Sequence, residues 1–431
     1  MSNLIAKITS IIMAIVMFIS SGLQSIDPNN FRKIIYYALT SYLHPTTSEA
    51  VPEFIDKTGG VVKGVCHPRG NFEQIKEANI EWVRFDIYDL PYDSQGNISQ
   101  SYLQYKAVAK EYADNGLKVM AITPYPHDYI DAGFDPRTDY GKEKVKEIAE
   151  FYATDLKGIV SAFQISNELG VEHFTYPLTL DEAAEFVGIQ LEAMQNIDDS
   201  IAVGFNLSNV TMHNFCEKMK PYLDYCDYVG VDIYLGCFEN VFKTLFVYDL
   251  LVRYAWNYTK KPVMVNEFGY IGGGETKTAE EKTAILQSYG YNSEEEAKAD
   301  IRTFISRLPQ GFQDYLKTLD AYSDDKAIGD RIFDTEIANH VYKEIQKGFK
   351  VPGYPHTPDG QARCLADSIA RFANLDFVCG AFVYCYSDSS GCYICDQEDC
   401  PIETRWGLVD CEGNPKPSYY AVQSAFAEWN K

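Results

Sequence analysis

Positive charge is scarce in this chain: 38 lysines and arginines stand against 61 aspartates and glutamates in 431 residues, a formal net charge of −23. Such a surface repels phosphate backbones, so nucleic acid is excluded as an expected partner. No Gly-x-Gly-x-x-Gly follows the first strand-like run, which argues against a dinucleotide-binding fold. No second Cys-x-x-Cys and no paired histidines complete a metal-ligand set that spacing alone would reveal. Long apolar runs are missing as well, with one exception at the start. "LIAKITSIIMAIVMFISSGL" contains a lysine, a short apolar stretch and small residues. It is short for a full bilayer span and reads as a secretory signal peptide, or an uncleaved membrane anchor, over residues 1–25. The expected location is therefore outside the cell, free or anchored.

What is present is a globular composition, 46% hydrophobic and 23% charged, with 32 tyrosines and 24 phenylalanines. The polar stretch "HPTTSEAVPEF" (44–54) reads as part of a linker, which sets 26–58 apart from a single large domain at 59–431. A strand–helix rhythm then begins. Strand-like runs occur at 61–66, 82–88, 118–125, 162–168, 202–208, 228–234, 262–270 and 380–388. They are short and almost continuously apolar, as expected of parallel strands buried on both faces. Helical patterns lie between them. One places Leu103, Ala107, Val108 and Tyr112 on a stripe and stops at Asn115-Gly116. Another opens with Thr179 and Glu182 at capping-box spacing and carries Ala183, Phe186, Val187, Leu191 and Met194 on one face. A third closes the chain with Tyr419, Val422, Phe426 and Trp429. Eight strands alternating with helices predict a (β/α)8 barrel of the α/β class. The long interruption at 271–360 contains two helical patterns and reads as an insertion, either a lid over the barrel mouth or a solvent-facing decoration.

Two of the strand runs end in the same unusual way. "AFQISNELG" stops at Asn167-Glu168, and "PVMVNEFGY" stops at Asn266-Glu267. In a barrel of this kind, functional groups sit at the C-terminal ends of strands, so strands four and seven should deliver two glutamates to one face. Two such carboxyls suit glycoside hydrolysis: one protonates the departing oxygen and the other attacks the anomeric carbon. Like charges held close together also disfavour double ionisation, which splits the pair into an acid and an anion. Neither job needs a metal or an organic cofactor, and the expected partner is a carbohydrate.

These residues resemble glycoside hydrolase clan A, the retaining barrels with catalytic glutamates on strands four and seven. The likeness spans roughly residues 60–430 and is nearest to family 5-like enzymes. The resemblance implies Glu168 as acid/base and Glu267 as nucleophile. It implies Asn167 on a sugar 2-hydroxyl, Arg84 in "WVRFDI" beside the nucleophile, and Tyr234 in "VDIY" touching it. "WGLVDCEGNPKPSYYAV" (406–422) is similar to the segment after strand eight in many members. Two positions depart from the pattern. Asp232 stands where family 5 has a histidine, and Tyr384 stands where a tryptophan floors the sugar, with Tyr386 as a second claimant. His127 in "PYPHDY" is a candidate replacement for the family histidine. Trp406 could line the cleft or pack the eighth loop. The same residues would also serve a transglycosylase, and a carbohydrate-binding barrel without activity is the alternative of another class.

Eleven cysteines remain to be explained. Cys392, Cys395 and Cys400 crowd the last strand–helix connection, where loop disulfides, metal binding and free thiols all stay open. Asn-X-Ser/Thr sequons stand at Asn97, Asn206, Asn209 and Asn257.

Overall fold

The computed structural model of the chain describes residues 28–43, 49–69, 71–208, 212–236, 244–335, 337–346 and 349–430. The proposed leader over 1–25 and the sequon at Asn209 lie outside the described residues. Among the described residues, no helix is long and apolar enough to cross a membrane.

Eight parallel strands close into a (β/α)8 barrel in simple chain order. They are β1 (Val62–Cys66), β2 (Trp82–Asp86), β3 (Lys118–Ile122), β4 (Ala162–Gln164), β5 (Ala202–Ser208), β6 (Tyr228–Ile233), β7 (Val263–Phe268) and β8 (Val378–Val383). Val62, Trp82, Met120, Ala162, Ala202, Tyr228, Met264 and Phe382 fill the barrel interior. Two of the large rings, Phe382 and Tyr228, fit because a glycine faces each. A Cβ on Gly64 would lie 2.2 Å from the Phe382 ring, and one on Gly204 would lie 2.7 Å from the Tyr228 ring.

Within the segment 26–58, expected as a linker, two described helices pack on the barrel. Helix Pro28–Thr40 buries Phe31, Ile34, Ile35 and Ala38 and packs on helix Phe246–Thr259. Helix Ala50–Thr58 inserts Phe54 into the N-terminal end of the barrel, 5.6 Å from the Tyr228 ring. Lys57 then pairs with Asp227 at 2.8 Å. The polar composition of 44–54 concealed the buried side chains of Val51 and Phe54.

Helix Leu180–Ile197 carries the expected Thr179/Glu182 capping box, and its five predicted core residues are buried. Helix Gln100–Asp114 buries Tyr112 of its predicted stripe but exposes Leu103, Ala107 and Val108; Tyr102, Tyr105 and Ala109 join Tyr112 at the core. At Tyr102 the ring buries its body while its hydroxyl finds a polar partner. Tyr102 does this by donating to Asp155 at 2.6 Å.

After β7 the chain builds short helices from Ala279 to Tyr342 around a second apolar core. That core holds Phe304, Phe312, Ile328, Ile332 and Tyr342 from the insertion. It also holds Cys392, Cys395, Cys400, Ile402 and Trp406 from the connection after β8. The insertion is therefore packed against the C-terminal side of the barrel. Its neck is narrow: the Ile345 N–H donates to the Gly274 carbonyl at 2.6 Å. Buried Glu344 accepts the Lys277 amide at 2.6 Å and pairs with Lys282.

Candidate active site

Both glutamates reach the barrel mouth because the chain breaks strand parity beneath them. Side chains alternate along a strand, so Asn266 and Glu267 should face opposite sides. The β6–β7 register shifts, with Val231 opposite Val265 but Asp232 opposite Glu267. Asn266 is the extra residue of this bulge. It points inward, where its Nδ2 donates to Gln164 Oε1 at 2.5 Å, and Glu267 follows it to the same side. On β4 the regular ladder ends at Gln164, and Ser166 and Glu168 both adopt left-handed backbone, with φ of 50° and 49°. Such φ values strain residues other than glycine and persist where neighbours hold them. Here the Ser166 N–H donates to Thr123 Oγ1 at 3.0 Å, and the Glu168 N–H donates to Asn206 Oδ1 at 2.8 Å.

Arg84, fully buried on β2, organises the floor. Its Nη1 donates to Glu267 Oε1 at 2.7 Å, its Nη2 to Asn167 Oδ1 at 2.9 Å and its Nε to Gln164 Oε1 at 2.9 Å. Burial alone would lower its pKa, but the charge of Glu267 and lesser contributions from Cys66, Asp232 and Asp86 raise it well above normal. Tyr234, just past β6, donates its hydroxyl to the second oxygen, Glu267 Oε2. Asn167 Oδ1 also accepts from Gln164 Nε2 at 3.0 Å and Asn206 Nδ2 at 2.7 Å. An arginine can only donate, so it fixes the orientation of this amide and leaves the Asn167 NH2 for the pocket it lines.

The two carboxyls are unequal. Burial, followed by the charge of Glu267, pushes Glu168 up to about 8, against opposing pulls from a Ser208 hydrogen bond and Arg84. Glu267 has Arg84 on one oxygen and Tyr234 on the other. Asp232 lies beneath both and accepts from Asn206 Nδ2. Burial, with Glu267 and Glu168 adding, raises its pKa well above the carboxylate range.

A cavity of about 280 Å³ opens over this floor. Glu168, Glu267, Asn167, Tyr234 and Tyr384 line it, while Arg84 sits beneath as their support. Tyr234, Tyr384 and Trp406 meet edge to face, with ring centroids 5.3–5.6 Å apart. Trp406 does both of the things expected of it: it lines the cavity and is buried in the second core. Tyr386 is elsewhere, buried with its hydroxyl donating to Gln74 Oε1 at 2.6 Å.

His127 is not brought to the cavity lining. Its side chain is 47% exposed, stacks on Tyr125 at 5.4 Å and lies 3.5 Å from Asp128. His67, at the end of β1, lines the cavity instead, edge-on to Tyr384 at 5.4 Å. Asp86, Tyr125, Phe174, Tyr393 and Glu403 were also unforeseen. Position at a strand end could have flagged His67 and Asp86. Nothing in the sequence around Glu403 marks it, because the insertion and the β8 connection bring it in together. Burial, with Cys392 adding, pushes Glu403 up to about 8 against a hydrogen bond from Tyr393. Asn206 is a buried hydrogen-bonding post within this network, so its sequon is not presented at the surface.

No family model matches the chain, and no curated protein matches it. Solved structures do. The GH53 catalytic domain of Ignisphaera aggregans is similar over 88% of this chain and 94% of its own, at 18% identity and a TM-score of 0.50. A family 39 glycoside hydrolase from the gut symbiont Bacteroides cellulosilyticus is similar over 88% of this chain and 65% of its own, at 13% identity and a TM-score of 0.51. At these identities the likeness is one of fold: this chain has the (β/α)8 barrel seen in those two glycoside hydrolases.

Proposed function

We propose that this protein is a glycoside hydrolase that cleaves β-linked oligo- or polysaccharides with retention of configuration. The observation that carries the reading is the asymmetry of two carboxyls on one cavity wall. Glu168 is pushed up to about 8, and Glu267 is paired with Arg84 at 2.7 Å. A protonated carboxyl beside a charge-paired one is the division of labour that double displacement needs. The fold shared with solved glycoside hydrolases and the edge-to-face aromatic wall support the same reading.

In the first step the Glu168 proton passes to the glycosidic oxygen as its bond to the anomeric carbon breaks. A Glu267 oxygen forms a new bond to that carbon. Each Glu267 oxygen keeps a lone pair beyond its contact with Arg84 or Tyr234. Covalent attachment removes the Glu267 charge, and with it one cause of the raised Glu168 pKa. Glu168, now ionised, takes a proton from water, the hydroxide equivalent attacks the anomeric carbon, and Glu267 leaves as the carboxylate. The Asn167 amide NH2 binds the neighbouring sugar hydroxyl, and Tyr384 offers a ring face. The enzyme works outside the cell or anchored to its surface through residues 1–25, which N-terminal sequencing of the native protein checks.

The test is hydrolysis of aryl β-glycosides and of glucan, mannan, xylan and galactan oligosaccharides, with the product anomer followed by NMR. Activity with retention is expected, lost in Glu267→Gln by at least a thousandfold. Glu168→Ala should keep slow turnover of activated aryl glycosides that azide accelerates, because azide replaces water without needing a base. Wild-type rates in Glu267→Gln would overturn the assignment. Glycan binding without turnover would favour the binding barrel, and transfer to a sugar acceptor would favour the transglycosylase.

A further inference from the structure

The cysteines left open by spacing acquire a fourth partner in the fold. Cys392, Cys395 and Cys400 lie on the connection after β8, and His340 lies 52 residues before Cys392 on helix Ala338–Tyr342 of the insertion. All four side chains are buried, and one donor atom from each falls within 4.8 Å of the others. His340 Nδ1 is 3.4 Å from Cys400 Sγ and 3.7 Å from Cys392 Sγ. A tetrahedral zinc ion with bonds of about 2.3 Å to sulfur and about 2.0–2.1 Å to nitrogen sets an N···S edge of about 3.6 Å. The observed separations bracket that edge.

The backbone around the cysteines holds them in this arrangement. The Cys392 N–H donates to the Gln397 carbonyl at 3.1 Å, and the Asp396 N–H donates to the Cys392 carbonyl at 2.8 Å. Asp396 takes left-handed backbone, φ 55°, to close the turn. The Gln397 side-chain amide reaches across to the His340 carbonyl at 3.2 Å, so one residue braces both halves. The three cysteines are free thiols rather than disulfide partners. The buried cysteines elsewhere, such as Cys66, Cys216 and Cys364, are dispersed through the barrel, whereas these converge on a point.

We propose that His340, Cys392, Cys395 and Cys400 form a structural zinc site that clips the insertion to the connection after β8. Four protein ligands close the tetrahedron and leave no open position for catalysis. Loading releases three thiol protons: three Cys–SH and one imidazole take up Zn²⁺ as three thiolates and one neutral ring, with three H⁺ set free. Tyr393, Glu403 and Trp406 belong to the same connection and line the cavity. The ion thereby fixes that wall of the cleft, a consequence that rests on the cavity being the substrate site.

The experiment is metal analysis of the full-length protein, purified without a metal-affinity tag from zinc-supplemented medium. One zinc per chain is expected. Glu267→Gln should retain it, whereas His340→Ala and the Cys392→Ser/Cys400→Ser pair should lose it. Failure of the catalytic reading would leave this result untouched. In case the variants fold poorly, the wild type gives a second readout. Cobalt(II) exchanged into it should show thiolate-to-cobalt charge transfer and tetrahedral d–d bands. A chelator should make three thiols newly reactive to alkylation. Sub-stoichiometric zinc with no cobalt spectrum would overturn the proposal. A disulfide between any two of the three cysteines, found by mass spectrometry, would overturn it too.

Discussion

At the scale of the residue, two carboxyls in this cavity are pushed up to about 8, and only one is offered as the acid. For Glu168 the folded pKa lies above its ordinary value of 4.5. The proton it holds therefore contributes stability fully below about pH 4.5, and that contribution is lost as pH rises through about 8. The catalytic consequence has the same sign: kcat/KM should fall on the alkaline side as Glu168 loses its proton near pH 8. Glu403 titrates in the same range, so a pH profile of the wild type alone would not assign the limb. Glu403→Gln should leave the limb in place. Ser208→Ala removes a hydrogen bond that pulls Glu168 down, and should move the limb to higher pH. A limb that vanished in Glu403→Gln would transfer the acid's role to that residue.

At the scale of the element, β1 to β8 were legible because parallel strands buried on both faces leave nearly unbroken apolar runs. The two glutamates were legible because they end such runs. What could not be read was how both arrive on one side. The bulge at Asn266 and the left-handed turns at Ser166 and Glu168 are backbone events held by partners on other strands. On helix Gln100–Asp114, Leu103 and Val108 were misplaced because aliphatics were given precedence over Tyr102 and Tyr105. Within 26–58, the polar composition around helix Ala50–Thr58 hid the buried ring of Phe54. That ring gives a prediction. Phe54 is buried against Tyr228 at the end of the barrel opposite the glutamates. Phe54→Ala should destabilise the protein by about 3–5 kcal/mol, the usual cost of removing a buried aromatic. Denaturant unfolding measures this, and kcat/KM per folded molecule should stay near wild type. A stability change under about 1 kcal/mol would show that Phe54 does not anchor helix Ala50–Thr58 to the barrel.

At the scale of the whole molecule, the barrel and the insertion are two cores joined through the wall of one cavity. Trp406 belongs to the insertion's core, while Tyr234 and Tyr384, which it meets edge to face, pack against that core from the barrel side. Sequence could locate the insertion by its length but could not say which way it packs, because its partners on the connection after β8 lie beyond another helix and strand. The neck at Gly274 and Ile345 allows a direct test, since those residues are already hydrogen-bonded across it at 2.6 Å. Replacing 275–344 with a short glycine-serine turn should leave the barrel strands paired and yet strip the backing from Trp406, Tyr384 and Tyr234. The expected result is a fall in kcat/KM of at least tenfold, about 1.4 kcal/mol of transition-state stabilisation, with red-shifted tryptophan emission and new dye binding. The excision also removes His340, so His340→Ala is the control. A smaller loss in that variant isolates the share owed to packing rather than to metal. Full activity after excision would make the insertion a decoration and leave the cavity wall to the β8 connection alone.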